Sequence, residues 1–159
     1  MLKITHSHKG FTLIELLIVI TILATLLVVV FAALNPSSRL KQARDAKRTS
    51  DVDSILTSIH EYIIDNTGSA PAGLSTIEQQ LGTATTGCAI STGGCGVTAT
   101  ACLSLATPLA KYLKSLPIDP LTATYNAGTT GYSALQDSNG IVTIKACGTE
   151  GTTNIASSR

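Results

Sequence analysis

The sequence predicts an α+β protein in which a long N-terminal helix, apolar in its first half and amphipathic in its second, packs on a small, loop-rich antiparallel sheet. Three observations predict it: an apolar run at 11–34, a helical stripe of apolar residues after it, and two alternating segments near the C-terminus. The length of 159 residues suits one domain with an appended segment. A net charge of +1 argues against a protein that coats nucleic acid through overall positive charge.

The apolar run at 11–34 has Glu15 as its only charged residue. A helix of this length covers about 36 Å, enough to cross a hydrocarbon core of about 30 Å. The run shows no amphipathic period and is too long for a core of this size to surround. A cleaved secretory signal is the alternative, with a weak cleavage site at Phe31-Ala32-Ala33, but its apolar part should span only about 7–15 residues. The run therefore predicts a membrane span, and both interpretations predict export of the chain after residue 34.

Basic residues flank the run unequally, with Lys3 and Lys9 before it and five after it. The five are Arg39, Lys41, Arg44, Lys47 and Arg48. The positive-inside tendency alone would place the C-terminal side in the cytoplasm. Export of that side therefore depends on a more specific signal.

Such a signal stands at the head of the run, where residues 9–17 read KGFTLIELL. This string resembles the class III signal of type IV pilins and type II secretion pseudopilins: a short basic leader ending in glycine, then phenylalanine, then glutamate four residues later. A small residue at Gly10 lets a peptidase approach the backbone closely. The resemblance implies cleavage after Gly10 by prepilin peptidase and N-methylation of Phe11 by the same enzyme. It also implies a cytoplasmic leader and a periplasmic or extracellular C-terminal domain.

Glu15 is the candidate assembly residue. A carboxylate in hydrocarbon costs about 2.5–3.5 kcal/mol, so it should have a partner. Cleavage after Gly10 would create one, the cationic α-amine of Phe11. The resemblance implies that this amine belongs to a neighbouring subunit, so that Glu15 guides packing and register in a filament. The alternative is a carboxylate that is favoured by the helix dipole and snorkels to water.

The segment Asn35-Pro36-Ser37-Ser38 is predicted to interrupt the helix, because proline disfavours helix at the residue before it and removes a donor. The helical period returns after this segment. The apolar positions of this amphipathic stripe are Val52, Ile55, Leu56, Ile59 and Ile63. Asn66 and Gly68 supply a C-terminal stop. Many members of the resembled family carry a kinking proline around position 32, where this chain has Ala32. The span and the amphipathic half together make a helix of about 55 residues that can break at Pro36.

The basic run at 39–48 allows three interpretations: a solvated face, contact with anionic lipid headgroups, or DNA binding. No aromatic residue interleaves with it, so the solvated or lipid-facing interpretation is favoured over nucleic acid. Asp45, Asp51 and Asp53 also offer partners within or between subunits.

Two short helices are predicted beyond the amphipathic stripe. Ser75-Thr76-Ile77-Glu78 matches a capping box and Gly82 can end the helix, which predicts a helix over 76–81. Thr107 before Pro108 predicts a second N-terminus, and the apolar residues that follow at helical spacing are Leu109, Tyr112, Leu113 and Leu116.

Two strands are predicted over 131–136 and 141–146, joined by a turn at 137–140. The stretch 82–101 is rich in Thr, Gly, Ala and Ser and is predicted to be loop. The resulting architecture agrees with the pilin fold, and the resemblance guides this assignment more than the short strands do.

Leu116-Pro117-Ile118-Asp119-Pro120, followed by Tyr125, resembles a motif near the calcium site of major pseudopilins. Calcium needs six to eight oxygen ligands, and the acidic residues here are few, namely Asp119 and Asp137. A proline-braced turn is therefore favoured over a calcium site at Asp119. No other metal and no cofactor is indicated.

The four cysteines, Cys88, Cys95, Cys102 and Cys147, lack the C-x-x-C pairs of a structural zinc site. Given export, two disulfides are favoured over free thiols. Of the three pairings, Cys88–Cys95 with Cys102–Cys147 is favoured, because the latter would tie the last strand to the later helix.

These features favour a structural protein over an enzyme, since no histidine is placed to activate a hydroxyl and no phosphate-binding glycine string occurs. The implied organisation is a cleaved leader at 1–10, a transmembrane assembly helix at 11–34, an amphipathic helix at 35–68 and a disulfide-bonded domain at 69–159. The favoured function is that of a pilin subunit that polymerises into a filament through its apolar helix. The alternatives are a type II secretion pseudopilin, a minor or competence-type pilin contacting DNA, and a secreted protein that starts near Asn35.

The resemblance also implies a location and partners. The chain is expected to cross the inner membrane once, with its N-terminus in the cytoplasm, before it enters an extracellular or periplasmic filament. The expected partners are identical or related pilin subunits, prepilin peptidase, an inner-membrane assembly platform and the lipid bilayer.

Overall fold

The computed structural model describes residues 10–151 and 154–159, and it divides into two compact units after Arg39. The predicted leader, apart from Gly10, lies outside the described residues, as do His6 and His8.

The first unit contains helix α1, Leu13–Leu34. Residues Leu13–Ala33 have a mean hydropathy of 3.1 and are exposed, and this is the one helix within the described chain that is long and apolar enough to cross a membrane. Two threonines within it satisfy their hydroxyls locally, because Thr21 and Thr25 donate to helix carbonyls at 2.8 Å. The helix ends at Asn35, whose φ of 39° is left-handed, and Pro36 opens the next helix.

Helix α2 runs over Pro36–Asp65, and most of it lies in the second unit. The predicted stripe is confirmed: Val52, Ile55, Leu56 and Ile59 are buried, and Ile63 packs at the edge of the same core. The helix ends where Gly68 adopts a positive φ of 87° and its amide donates to the carbonyl of Ile63 at 2.8 Å. A glycine adopts this left-handed backbone conformation without the strain that a side chain would add.

The sheet has four antiparallel strands in the order β1-β2-β3-β4. Their bounds are Gln79–Gln80, Tyr132–Gln136, Val142–Ala146 and Ile155–Ser158. The predicted hairpin is confirmed, with Tyr132 opposite Ala146 and Gln136 opposite Val142. Its turn is fixed by Asp137, whose carboxylate accepts from the amides of Asn139 and Ile141 at 2.8 Å each.

The core lies between α2 and one face of the sheet. Val142, Ile144 and Ala146 point inward from β3, whereas Thr143 and Lys145 alternate with them and are only partly buried. Each Val, Leu or Ile side chain that is fully buried contributes roughly 1.5–3 kcal/mol relative to an exposed one. The amphipathic stripe of α2 therefore anchors the second unit.

The predicted helix over 76–81 is wrong. Gln79 and Gln80 form β1 and pair with β2, so the backbone is extended at this point. The Glu78 side chain, which a capping box would turn back on Ser75, instead binds Ser133 at 2.6 Å and Lys145 at 2.8 Å. Long-range pairing has overridden the local signal.

The predicted helix after Pro108 is also wrong, because the chain forms successive turns over 106–112. The amides of Ala110 and Tyr112 donate to carbonyls three residues back, and that of Leu113 to one four residues back. No regular helical ladder therefore builds up. The apolar spacing still identified core residues, since Leu109 is buried and Tyr112, Leu113 and Leu116 pack against the core.

Two disulfides form as predicted, but the favoured pairing is wrong: the bonds are Cys88–Cys102 and Cys95–Cys147. The reason is that the predicted loop at 82–101 folds back on itself, with Ile90 and Val97 exchanging amide–carbonyl bonds at 2.9–3.0 Å. Cys88 then faces Cys102 across the folded loop. The tip of this loop places Cys95 against Cys147, whose carbonyl accepts from the Thr92 hydroxyl at 2.7 Å.

Candidate functional site

The candidate processing site at Gly10 and Phe11 precedes α1 and is exposed, with 77% of Phe11 accessible. A Cβ added at Gly10 would meet no atom of the chain within 4 Å. The absence of a side chain at Gly10 is therefore not required by packing within the described residues.

Glu15 lies in the first turn of α1 and forms a reciprocal capping box with Thr12. The Glu15 amide donates to the Thr12 hydroxyl at 3.2 Å, while the Glu15 carboxylate accepts from the Thr12 amide at 2.9 Å and its hydroxyl at 2.7 Å. Two helix-start amides that would otherwise lack partners are thus satisfied. The carboxylate therefore has a partner within its own chain.

The role of Thr12 was missed in the sequence, although the signal was there. Thr12-Leu13-Ile14-Glu15 has the same spacing as the box predicted at Ser75, directly before an apolar run. Thr12 lies next to Phe11, so the candidate cleavage point and the carboxylate are brought together by a single helix N-terminus.

A second cluster of charges surrounds Arg48 in the other unit. The Arg48 guanidinium is fully buried and donates to both oxygens of buried Asp119, at 2.7 and 2.8 Å. It also reaches Asp45 at 2.7 Å and Glu150 at 3.1 Å. Arg44 adds a second guanidinium on Glu150, with Nη2 2.6 Å from its carboxylate.

The pKa values of four groups in this cluster, Arg44, Asp45, Arg48 and Glu150, move in the direction that keeps each group charged. The hydrogen bond from Arg44, together with that from Arg48, lowers the pKa of Glu150 to about 2 despite burial. Burial raises the pKa of Asp45, but hydrogen bonds from the Glu150 amide and Arg48 outweigh it and hold the value below its ordinary range. Burial would likewise lower the pKa of Arg48, yet its bonds to carboxylates, above all Asp119, raise it. This is the behaviour of a closed ionic network.

The solvated interpretation of the basic run is wrong for Arg48 and for half-buried Arg44. Lys47 pairs with Asp51, which also accepts from the Tyr132 hydroxyl at 2.8 Å. Three of the five basic residues after the span are thus neutralised by acids of their own unit. The expectation that Asp45 and Asp51 could provide partners within the subunit is confirmed.

The remaining candidate residues do not assemble into a reactive site. Within the described chain, no three His, Cys, Asp or Glu side chains are arranged to hold a metal ion. His60 lies on α2, with Nδ1 2.8 Å from the carbonyl of Leu56.

Comparison with known proteins gives one match. A family model described as the prokaryotic N-terminal methylation motif matches residues 5–31, which include Gly10, Phe11, Glu15 and most of α1. Neither a curated protein nor a solved structure matches the chain significantly. The match ends within α1, so α2 and the sheet lie outside it. The chain therefore carries, at residues 5–31, the N-terminal methylation motif that is the signal of type IV pilins and pseudopilins.

Proposed function

We propose that this chain is a structural subunit of a type IV pilus-like filament, processed after Gly10 by prepilin peptidase and assembled through α1. The observation that carries the proposal is the coincidence, within residues 5–31, of the methylation motif with an apolar helix that holds a single carboxylate. Proteins with this motif are structural, and the chain is accordingly proposed to be no enzyme.

Before assembly, we infer, the subunit is stored in the inner membrane with α1 spanning the bilayer. The N-terminus faces the cytoplasm and the second unit lies outside. Two disulfides support this orientation, because disulfides persist in oxidising compartments such as the periplasm or the cell surface. The same subunit could serve in a secretion pseudopilus, and electron microscopy of surface-sheared material distinguishes the two filaments.

In the stored subunit, Thr12 holds Glu15 and lowers the cost of a carboxylate at the membrane. In the filament, the methylated α-amine of Phe11 from a neighbouring subunit takes over as the partner of Glu15. The carboxylate then exchanges neutral donors for a cationic one, which is the stronger kind of hydrogen bond. This exchange favours subunits that are in register over those that are not.

DNA binding through the basic run receives no support from the ionic contacts. Arg44, Lys47 and Arg48 form ion pairs with acidic residues of their own unit, so DNA phosphates would have to compete with those pairs. The structural role is therefore preferred to a DNA-capturing minor pilin.

Replacing Glu15 by glutamine is expected to leave leader cleavage intact and to lower incorporation into filaments about 100-fold, if the full membrane cost of the charge is regained by pairing. Glutamine keeps the size and one acceptor, so α1 can still begin at Leu13. The measurement is the ratio of sheared filament protein to membrane protein, by immunoblot, in cells lacking the wild-type copy. Glu61→Gln, an exposed carboxylate on α2, is the matched control and should incorporate normally. Incorporation of Glu15→Gln at the wild-type level would remove Glu15 from the assembly mechanism.

A further inference from the structure

The strongest unassigned feature is the cation at the centre of the buried charge cluster. Arg48 makes four hydrogen bonds to three carboxylates, those of Asp45, Asp119 and Glu150. These carboxylates come from distant parts of the chain: α2, the proline-braced turn and the segment after β3. The guanidinium contacts all three parts.

The calcium ion suggested by the resemblance does not fit these residues. Both oxygens of Asp119 accept from Arg48, and Oδ1 also accepts from the Leu121 amide at 2.9 Å. Calcium would need those oxygens as ligands at about 2.3–2.6 Å, and an ion at that distance would have to displace the guanidinium. Gly148 packs closely against the same carboxylate, since a Cβ there would lie 2.6 Å from Asp119 Oδ2.

The network performs the structural task that a bound ion would perform. Asp45 accepts from the amides of Glu150 and Gly151 at 3.1 and 2.7 Å, while the Glu150 side chain returns to Arg44 and Arg48. The segment after β3 is thereby held on α2 by reciprocal bonds. Asp119 holds the turn to the same guanidinium. Removal of this one cation would leave three carboxylates opposite the single charge of Arg44.

We propose that Arg48 is a resident cation that occupies the place a structural calcium ion would need, so that the second unit folds independently of calcium. This inference concerns the second unit alone and does not rest on the proposed function. Its chemical consequence is that the cation of this cluster is a side chain, which cannot dissociate or be removed by a chelator.

The test uses the full chain in detergent micelles, with thermal unfolding followed by circular dichroism in EDTA, in millimolar calcium chloride and in matched magnesium chloride. The wild-type midpoint should agree within about 1 °C in all three, because a ligand that does not bind the native state cannot stabilise it. A calcium-specific rise of several degrees in the wild-type protein would overturn the proposal.

The second measurement assigns the effect to Arg48. In Arg48→Ala, the midpoint should fall by about 10 °C or more, or the folded signal should be lost, because one side of a buried ionic network has been removed. Calcium should not restore it, since no three acidic side chains of the described chain are arranged to hold a metal ion. Lys41→Ala removes an exposed cation from the same helix and should leave the midpoint unchanged. An Arg48→Ala chain as stable as Lys41→Ala, or one that calcium restores, would also overturn the proposal.

Discussion

Replacing Arg48 by methionine is expected to lower the free energy of unfolding by about 3–5 kcal/mol at pH 7, the cost of breaking a buried ion pair from one side. Methionine retains much of the apolar stem, so lost packing contributes less than lost charge. Asp119 stays fully buried and loses both guanidinium bonds, retaining the donor from the Leu121 amide. Chemical denaturation of the full chain in detergent measures the loss, and Lys41→Met should stay within about 0.5 kcal/mol of wild type.

The pH dependence of stability distinguishes an electrostatic cost of Arg48→Met from a packing defect. The folded-state pKa of Glu150 is lowered to about 2, so its stabilising effect is complete above about pH 4.5 and is lost as the pH falls towards 2. Asp45, whose pKa is lowered as well, acts in the same direction. Without Arg48 the carboxylates repel one another, and their protonation should instead favour the fold. The stability difference between wild type and Arg48→Met should therefore shrink as the pH falls from 5 to 3; a constant difference would indicate a packing defect.

Removing the Cys95–Cys147 disulfide should cost about 4 kcal/mol, against about 3 kcal/mol for Cys88–Cys102, if constraint of the unfolded chain dominates. The bonds close segments with sequence separations of 52 and 14, and the longer closure restricts the unfolded chain more. The loss of Cys95–Cys147 also opens space beside buried Val97 and releases the tip of the folded loop.

The measurement compares Cys95→Ala/Cys147→Ala with Cys88→Ala/Cys102→Ala by denaturation of the oxidised full chain. Each variant keeps the other disulfide, so each serves as the control for the other. A larger loss in Cys88→Ala/Cys102→Ala would contradict the ranking. Complete reduction of the wild-type chain should lower the free energy of unfolding by more than either pair of substitutions, because both constraints are then absent.

The parts of the fold that could be predicted are those that depend on the local spacing of apolar residues. The stripe of α2 and the hairpin of β2 and β3 follow from spacings of 3–4 and 2 residues, and tertiary contacts reinforce them. The stripe even extends to Arg48, four residues before Val52, but a charged residue was not included as a core position. Its partners Asp119 and Glu150 lie 71 and 102 residues away, a distance that no local pattern spans.

The two capping-box sequences of this chain differ in outcome because of their long-range contacts. Thr12 and Glu15 form the box because nothing else in the described chain engages this carboxylate. The same spacing at Ser75 and Glu78 forms none, since Lys145 and Ser133 engage Glu78 and the next two residues join the sheet. A local signal is realised when tertiary contacts leave its side chains free. The predicted disulfide connectivity was wrong for a related reason. The folded loop that aligns the thiols depends on long-range hydrogen bonds.

The most direct measurement of the central claim is the N-terminus of the chain recovered from membranes and from sheared surface material, by intact mass and N-terminal sequencing. The proposal predicts a chain that begins at Phe11 and carries one added methyl group. Gly10→Val is the control and should retain the leader, while its folded part should be unchanged because no atom lies near the added side chain. A wild-type chain that begins near Asn35, or one that still begins at Met1 in assembled material, would contradict the account.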